Sequence, residues 1–169
     1  MQSMKVRYDS PTIALQIMPE EFTKFCSNLE YYMGQRLMEY TNISQQHQKY
    51  LKNMYDGPIG FPIGICGDIL VAFQHFNTFQ EAKEKWDRRK ARIDYDHLNF
   101  VFVLDYQKYK QEAQDFANAK LPNSFIFCRG FDIDGPHYNY TVPEGLCFLD
   151  VIQGRYIFER GFNREDLCC

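Results

Sequence analysis

Three stretches of helical periodicity, set between four short apolar runs, limit what this chain can fold into more than any other feature. The runs are TIALQIM at 12–18, ILVAFQHF at 69–76, NFVFVLD at 99–105 and SFIFCR at 124–129. After the first, Pro19 suits the opening position of a helix, with Glu20 and Glu21 near its positive end. Phe22, Phe25, Cys26, Leu29, Tyr32 and Met33 keep helical spacing as far as Gly34, which predicts a helix over 19–33. After the second run, Thr78 and Glu81 stand in the S/T-x-x-E relation of a capping box. Phe79, Ala82, Trp86 and Ile93 then form one apolar stripe, so a helix is expected over 78–93. A third helix is expected over 106–120, with Tyr109, Ala113, Phe116 and Ala117 on one face and Pro122 as its stop. The alternation predicts an α/β fold: a mostly parallel sheet containing all four runs, flanked by helices. Beyond Gly130, HYNYTV, LCFLDVI and RYIFER predict a short C-terminal antiparallel strand region, the last two strands joined at Gln153-Gly154. A further short strand at 37–40 and a helix at 44–55 complete the pattern. The segment 57–67, GPIGFPIGICG, holds four glycines and two prolines and reads as a turn.

A length of 169 residues predicts one domain, 1–169. The formal net charge of −3 argues against a general nucleic-acid binder, which needs a broad basic footprint. No apolar run approaches the roughly 18–20 residues that span a bilayer. The opening MQSMKVRYDSPT has no apolar signal region, so a cytoplasmic protein is expected. None of the six cysteines stands in a C-x-x-C pair or at zinc-ligand spacing, and buried free thiols are expected.

Against this acidic background, Lys85, Arg88, Arg89 and Arg92 fall within an arc of roughly 100° on the helix at 78–93. Arginine forks recognise phosphate and carboxylate at two points, so the arc is a candidate anion site. The competing explanation is a solvated face, with Glu81–Lys85 and Glu84–Arg88 as i,i+4 pairs. Arg89 is nearest the buried stripe, while Arg88 projects about 100° away from it. Trp86 is a candidate for stacking on a sugar or base, although a lone tryptophan on an apolar stripe is more often core. His75 closes the second apolar run. At the carboxyl end of a parallel strand it would sit where open α/β sheets place their ligands, as an acid/base group. Asp68, seven residues earlier, lies roughly 20 Å away along an extended strand and is not its partner. Asp94-x-Asp96-His97 and Asp132-x-Asp134 are weak divalent-metal patterns that turn chemistry explains as well, and no metal site is assigned.

YDSPT at 8–12, PEEFTKFCSNLEYYM at 19–33 and the stretch from 61 to 94 together resemble one family. The most specific part is the order P-x-G, Asp, an apolar strand ending in His, then E-A-x-x-K-W-x-R-R-x-x-R-I. It falls on Pro62, Gly64, Asp68, His75, Glu81, Ala82, Lys85, Trp86, Arg88, Arg89, Arg92 and Ile93. The family is the domain of unknown function numbered nineteen-nineteen, whose members are often labelled exopolysaccharide biosynthesis proteins. The resemblance runs from about Tyr8 to Arg129 and fades beyond Gly130. It implies an α/β fold and an association with bacterial surface-polysaccharide genes, but no established reaction. Family members usually carry a further segment before the YDSPT-like stretch. The expectation is therefore a shortened member or a fragment, with part of a site outside it.

The function expected is binding of, or action on, an anionic sugar or sugar nucleotide in surface-polysaccharide biosynthesis. Lys85, Arg89 and Arg92 would neutralise the anion, Arg88 and Trp86 would border it, and His75 would serve as acid/base in a transferase acting on glycans or sugar phosphates. The alternative is a non-catalytic assembly protein whose basic helix docks an acidic partner. Cofactor and oligomeric state are left open.

Overall fold

A computed structural model of the chain describes residues 11–12 and 15–140. Two compact units divide it, Met1–Asn99 and Phe100–Cys169.

In the first unit the elements run β1 (Gln16–Ile17), α1 (Pro19–Ser27), α2 (Leu29–Gly34), β2 (Leu37–Glu39), α3 (Gln45–Met54), β3 (Ile63–Cys66), β4 (Ile69–Ala72) and α4 (Phe79–Lys90). The strands form one sheet in the order β1-β4-β3-β2, and every neighbouring pair is antiparallel. The expected mostly parallel sheet is therefore corrected. The physical reason lies at Gly67-Asp68, which joins β3 to β4 with Cys66 opposite Ile69. Gly67 takes φ +63°, a conformation glycine adopts without strain, and a two-residue connection permits only an antiparallel pair.

The glycine-rich segment is thus not all turn, because IGIC at its end is β3. Gly64 is there for close packing. A Cβ at this position would meet Phe73 Cε2 at 2.9 Å, Leu37 Cδ1 at 3.0 Å and Phe79 Cε2 at 3.2 Å. Residues opposite one another share a face, so Gly64 and Val71 look one way and Ile63 and Ala72 the other. Ile63 and Ala72 join Met18, Leu70 and Leu51 of α3 in a buried cluster. The Gly64 face receives Phe79 at the start of α4.

The helix expected over 19–33 breaks at Asn28, whose φ −130°, ψ 37° is not helical. Its side-chain Nδ2 donates to Lys24 O at 3.1 Å, an instance of a short polar side chain competing for backbone groups. Likewise the apolar run 69–76 is a strand only to Ala72. Phe73 N–H donates to Pro62 O at 3.0 Å and Phe76 N–H to Phe73 O at 3.1 Å, which turns the chain toward α4.

In the second unit β5 (Phe100–Leu104) is followed by a single 3-10 turn (Gln107–Tyr109), α5 (Lys110–Asn118), β6 (Ser124–Arg129) and β7 (Tyr138–Tyr140). Here the expected parallel pairing is present. The order is β5-β6-β7, with Phe100 opposite Ser124 through to Leu104 opposite Cys128. Phe116 of α5 packs on Phe102 with ring centroids 5.2 Å apart, so β5, α5 and β6 make a β-α-β unit. Within HYNYTV, Tyr138–Tyr140 is a strand, but it pairs parallel to β6, against the antiparallel arrangement expected there. LCFLDVI, RYIFER and the Gln153-Gly154 hairpin lie outside the described residues. Among the described residues no helix is long and apolar enough to cross a membrane.

Candidate functional site

The cap of α4 forms as expected: Thr78 Oγ1 accepts from Glu81 N–H at 3.3 Å. Ala82 and Trp86 are each 1% exposed and hold the helix to the unit. Trp86, the candidate for stacking on a ligand, is therefore a core side chain. Its indole N–H is buried without a hydrogen-bond partner.

The carboxylates of α4 are engaged locally in a way the sequence did not predict. Glu84 accepts from Gln80 Nε2 at 2.7 Å, and Asp87 pairs with Lys83. Lys85 is exposed and sits over the Phe76 ring, 5.4 Å from its centroid. Lys90 donates to Gln35 O at 3.0 Å and so ties the end of α4 to the end of α2. Arg88 and Arg92 are exposed, whereas Arg89 is half-buried. Burial, then the neighbouring Arg88 and Arg92 guanidiniums, push the Arg89 pKa below its ordinary value. An arginine stays charged through any such shift, so three guanidiniums carry their charge close together here.

His75 lies in an exposed turn at the other end of the helix. From Thr78 to Arg89 the helix rises about 16 Å, so His75 lies far from the arginines along the axis, while the mid-helix Lys85 turns its ammonium back over Phe76. Since β4 belongs to an antiparallel sheet, the carboxyl-end argument for His75 no longer applies. After α4, Asp94 Oδ2 and His97 Nδ1 pair at 2.9 Å, and Asp94 Oδ1 accepts from Asp96 N–H at 3.2 Å. The hydrogen bond with His97 is the first cause holding the Asp94 carboxyl below its usual range. The acidic cluster after the helix thus closes its own turn. Among the described residues no group of three or more His, Cys, Asp or Glu side chains is arranged to hold a metal ion.

Asp68, part of the family-like pattern, also has a structural task. It accepts from Tyr32 O–H at 2.9 Å and pairs with Lys24, pinning the β3–β4 turn to α1 and α2. The Lys24 ammonium, then the Tyr32 hydroxyl, hold the Asp68 carboxyl below its usual range. Cys26, Cys66 and Cys128 are buried free thiols. Burial pushes Cys26 up to about 12, and Cys66 and Cys128 each to about 11, so none is a ready nucleophile.

One polar network had no counterpart in the sequence reading. Glu21 and His47 are each only 7% exposed. Glu21 Oε2 accepts from Leu70 N–H at 2.9 Å, and Glu21 Oε1 lies 2.8 Å from His47 Nε2. His47 Nδ1 lies 3.0 Å from Tyr40 Oη, which accepts from Ser44 N–H at 3.0 Å. The bonds are mutually consistent when Tyr40 O–H donates to Nδ1 and Nε2–H donates to Glu21. Burial is the main cause raising the Glu21 pKa, against the bonds from Leu70 and His47. Ser44 at the start of a helix was a local signal for the Ser44–His47 cap, and it forms at 3.2 Å. Nothing local in the sequence pairs His47 with Glu21, 26 residues away.

The architecture is that of an α/β protein made of an antiparallel four-stranded sheet with helices and a parallel β-α-β unit with one further strand. The sequence model of the family described as a domain of unknown function, DUF1919, matches residues 1–131, and the chain belongs to this family. It is similar to an uncharacterised protein of Haemophilus influenzae (strain ATCC 51907 / DSM 11121 / KW20 / Rd), at 27% identity over 121 residues. That match covers 71% of this chain and 51% of the relative, so the chain spans about half the length of the curated relative it matches.

Proposed function

We propose that the last turns of α4 bind the phosphate or carboxylate of an anionic sugar or sugar nucleotide, in the service of bacterial surface-polysaccharide biosynthesis. The observation that carries this reading is Arg89, half-buried beside two further arginines, its pKa depressed first by burial and then by those neighbours. Like charges held this close repel, and an anion that bridges them relieves the repulsion at a place of reduced dielectric. Arg88 and Arg92 complete the fork. Trp86, a core side chain one helical turn from Arg89, fixes the position of this face from beneath and does not itself meet the ligand. Lys85 is about 6 Å along the axis from Arg89, with its ammonium turned over the Phe76 ring, whereas His75 lies beyond the helix start about 16 Å or more away, so only an elongated ligand meets it as well; His75 then serves as acid/base at the far end in a transferase reaction. The open setting of Lys85, Arg88 and Arg92 favours a second reading, in which the same face docks an acidic partner without chemistry.

Thermal stability of the full chain, measured with inorganic pyrophosphate and with a series of nucleoside-diphosphate sugars, separates these. A ligand at 100 times its dissociation constant adds about 2.7 kcal/mol. Arg89→Lys keeps the charge and loses the two-point fork, and is expected to weaken binding more than tenfold. Arg88→Lys is expected to matter less. No stabilisation by any of these anions, or equal effects of the two substitutions, overturns the ligand reading. Salt-sensitive capture of an acidic protein by a chain indifferent to sugar nucleotides replaces it with the docking reading.

A further inference from the structure

The four histidines differ in what their ring nitrogens face. His47 has its nitrogens on Tyr40 Oη and Glu21, His75 is exposed in a turn, and His97 has one nitrogen on Asp94. His137, in the second unit, is alone in having both nitrogens against oxygens that cannot donate. Its Nε2 is 3.0 Å from Asp132 Oδ1 and its Nδ1 is 2.9 Å from the carbonyl oxygen of Gly135. A carboxylate and a carbonyl only accept, so each nitrogen must carry a hydrogen, and a ring with both is the imidazolium. With both nitrogens spent, His137 has none left for a substrate, although a His–Asp pair invites that reading.

The bonds around it span the connection between β6 and β7. Asn139 Nδ2 donates to the same Asp132 oxygen at 2.9 Å, while Asn139 Oδ1 accepts from Gly130 N–H at 3.1 Å. Gly130 N–H also faces Tyr140 O at 3.2 Å. From α5, Gln114 grips the far part of the loop: its Oε1 accepts from Asp134 N–H at 2.8 Å and its Nε2 donates to Asp134 O at 3.1 Å. The loop is therefore held at two places, one independent of pH and one requiring a proton.

We propose that His137 is a proton-operated clasp on the β6–β7 connection, closed while the imidazole is charged and released when it is neutral. On losing a proton, one nitrogen presents a lone pair to an acceptor oxygen at hydrogen-bond distance. That contact turns repulsive, so either the Asp132 or the Gly135 bond must break. The side chain is only 14% exposed, which limits the replacement of that bond by water. The charged and titratable groups facing the pair among the described residues are few. Lys110, at the start of α5, and Cys128, on β6, face Asp132 from neighbouring elements, the thiol neutral because burial raises its pKa to about 11. Lys110 favours the ionised Asp132 and so supports the closed form.

The linkage signs agree with the geometry. The Gly135 carbonyl, then Asp132, hold His137 above its ordinary 6.5 in spite of burial. Its contribution is complete below 6.5 and is lost as pH rises through the raised folded value. His137, then Asn139, hold Asp132 below its ordinary 3.8, so that contribution is complete above 3.8 and is lost as pH falls through the lowered value. The clasp is closed between these limits.

The test is an NMR titration of the full chain, following the four imidazole Cε1–H signals together with amide exchange. The expected result is a His137 midpoint above the ordinary 6.5, with the Gly130 amide losing protection across the same midpoint. Asp132→Asn is expected to lower the His137 midpoint. Gln114→Ala is expected to free the Asp134 amide and leave that midpoint where it was. A His137 midpoint at or below 6.5 overturns the proposal. So does a Gly130 amide indifferent to the His137 titration, and either result can be read from the unaltered chain alone.

Discussion

Removing Glu21 tests whether the buried network is a main support of the first unit. Glu21→Ala leaves two donors, Leu70 N–H and His47 Nε2–H, facing a space from which water is excluded. A buried donor deprived of its partner costs about 1–3 kcal/mol, so two cost about 2–6. Part of this is offset because an ionisable carboxyl is no longer buried. A net loss of about 3 kcal/mol is expected. Glu21→Gln should cost under about 1 kcal/mol, since its Oε1 can still accept from Leu70 while its amide donates to a flipped His47 tautomer. Trp86 is the only tryptophan of the chain and lies buried in the first unit, so its fluorescence reports unfolding of that unit. In urea, with a slope of about 1–3 kcal/mol per molar, the alanine midpoint should fall by about 1–3 M. The pH dependence adds a sign. The folded Glu21 pKa is raised, so its favourable contribution is complete below 4.5 and is lost as pH rises through the folded value. The native chain should therefore lose stability relative to Glu21→Gln as pH climbs above 4.5. An alanine variant within about 0.5 kcal/mol of the native chain refutes the reasoning. A glutamine variant as damaged as the alanine one refutes it equally.

Two other substitutions probe how the sheet is held. Gly64→Ala puts a methyl 2.9 Å from the Phe73 ring and 3.0 Å from Leu37, and urea unfolding should show a loss of about 1–3 kcal/mol; an unchanged midpoint would mean those side chains have room to move. Asp68→Asn removes a carboxylate whose folded pKa is lowered, so the native chain should exceed the variant in stability above pH 3.8 and lose the advantage as pH falls through the lowered value. The pair with Lys24 is exposed, and the difference should stay under about 1 kcal/mol; a difference growing toward acid pH would contradict the sign.

The sequence by itself determined the local elements wherever a short-range rule suffices. Thr78 and Glu81 announced the start of α4, and Pro19 that of α1. The apolar stripe through Ala82 and Trp86 marked the buried face of α4, and β5, α5 and β6 form in the expected parallel unit. Burial of three cysteines likewise follows from their small apolar side chains. Strand direction in the first unit was decided only by the tertiary structure, because helices and strands can alternate in either sense. There the two-residue turn at Gly67-Asp68 reverses the chain, and the role of Gly64 depends on side chains from three other places in the sequence. The site divides the same way. Helical angle alone brought Lys85, Arg88, Arg89 and Arg92 to one side, since a helix repeats by a fixed rotation. Spacing alone also put His75 at the opposite end, whereas the half-burial of Arg89 and the full burial of Trp86 are matters of packing. Glu21 with His47, and Asp68 with Tyr32, are pairs between distant segments. Chain reversal and packing bring both pairs together, and for Glu21 and His47 burial also removes water as the alternative, a property of the whole fold.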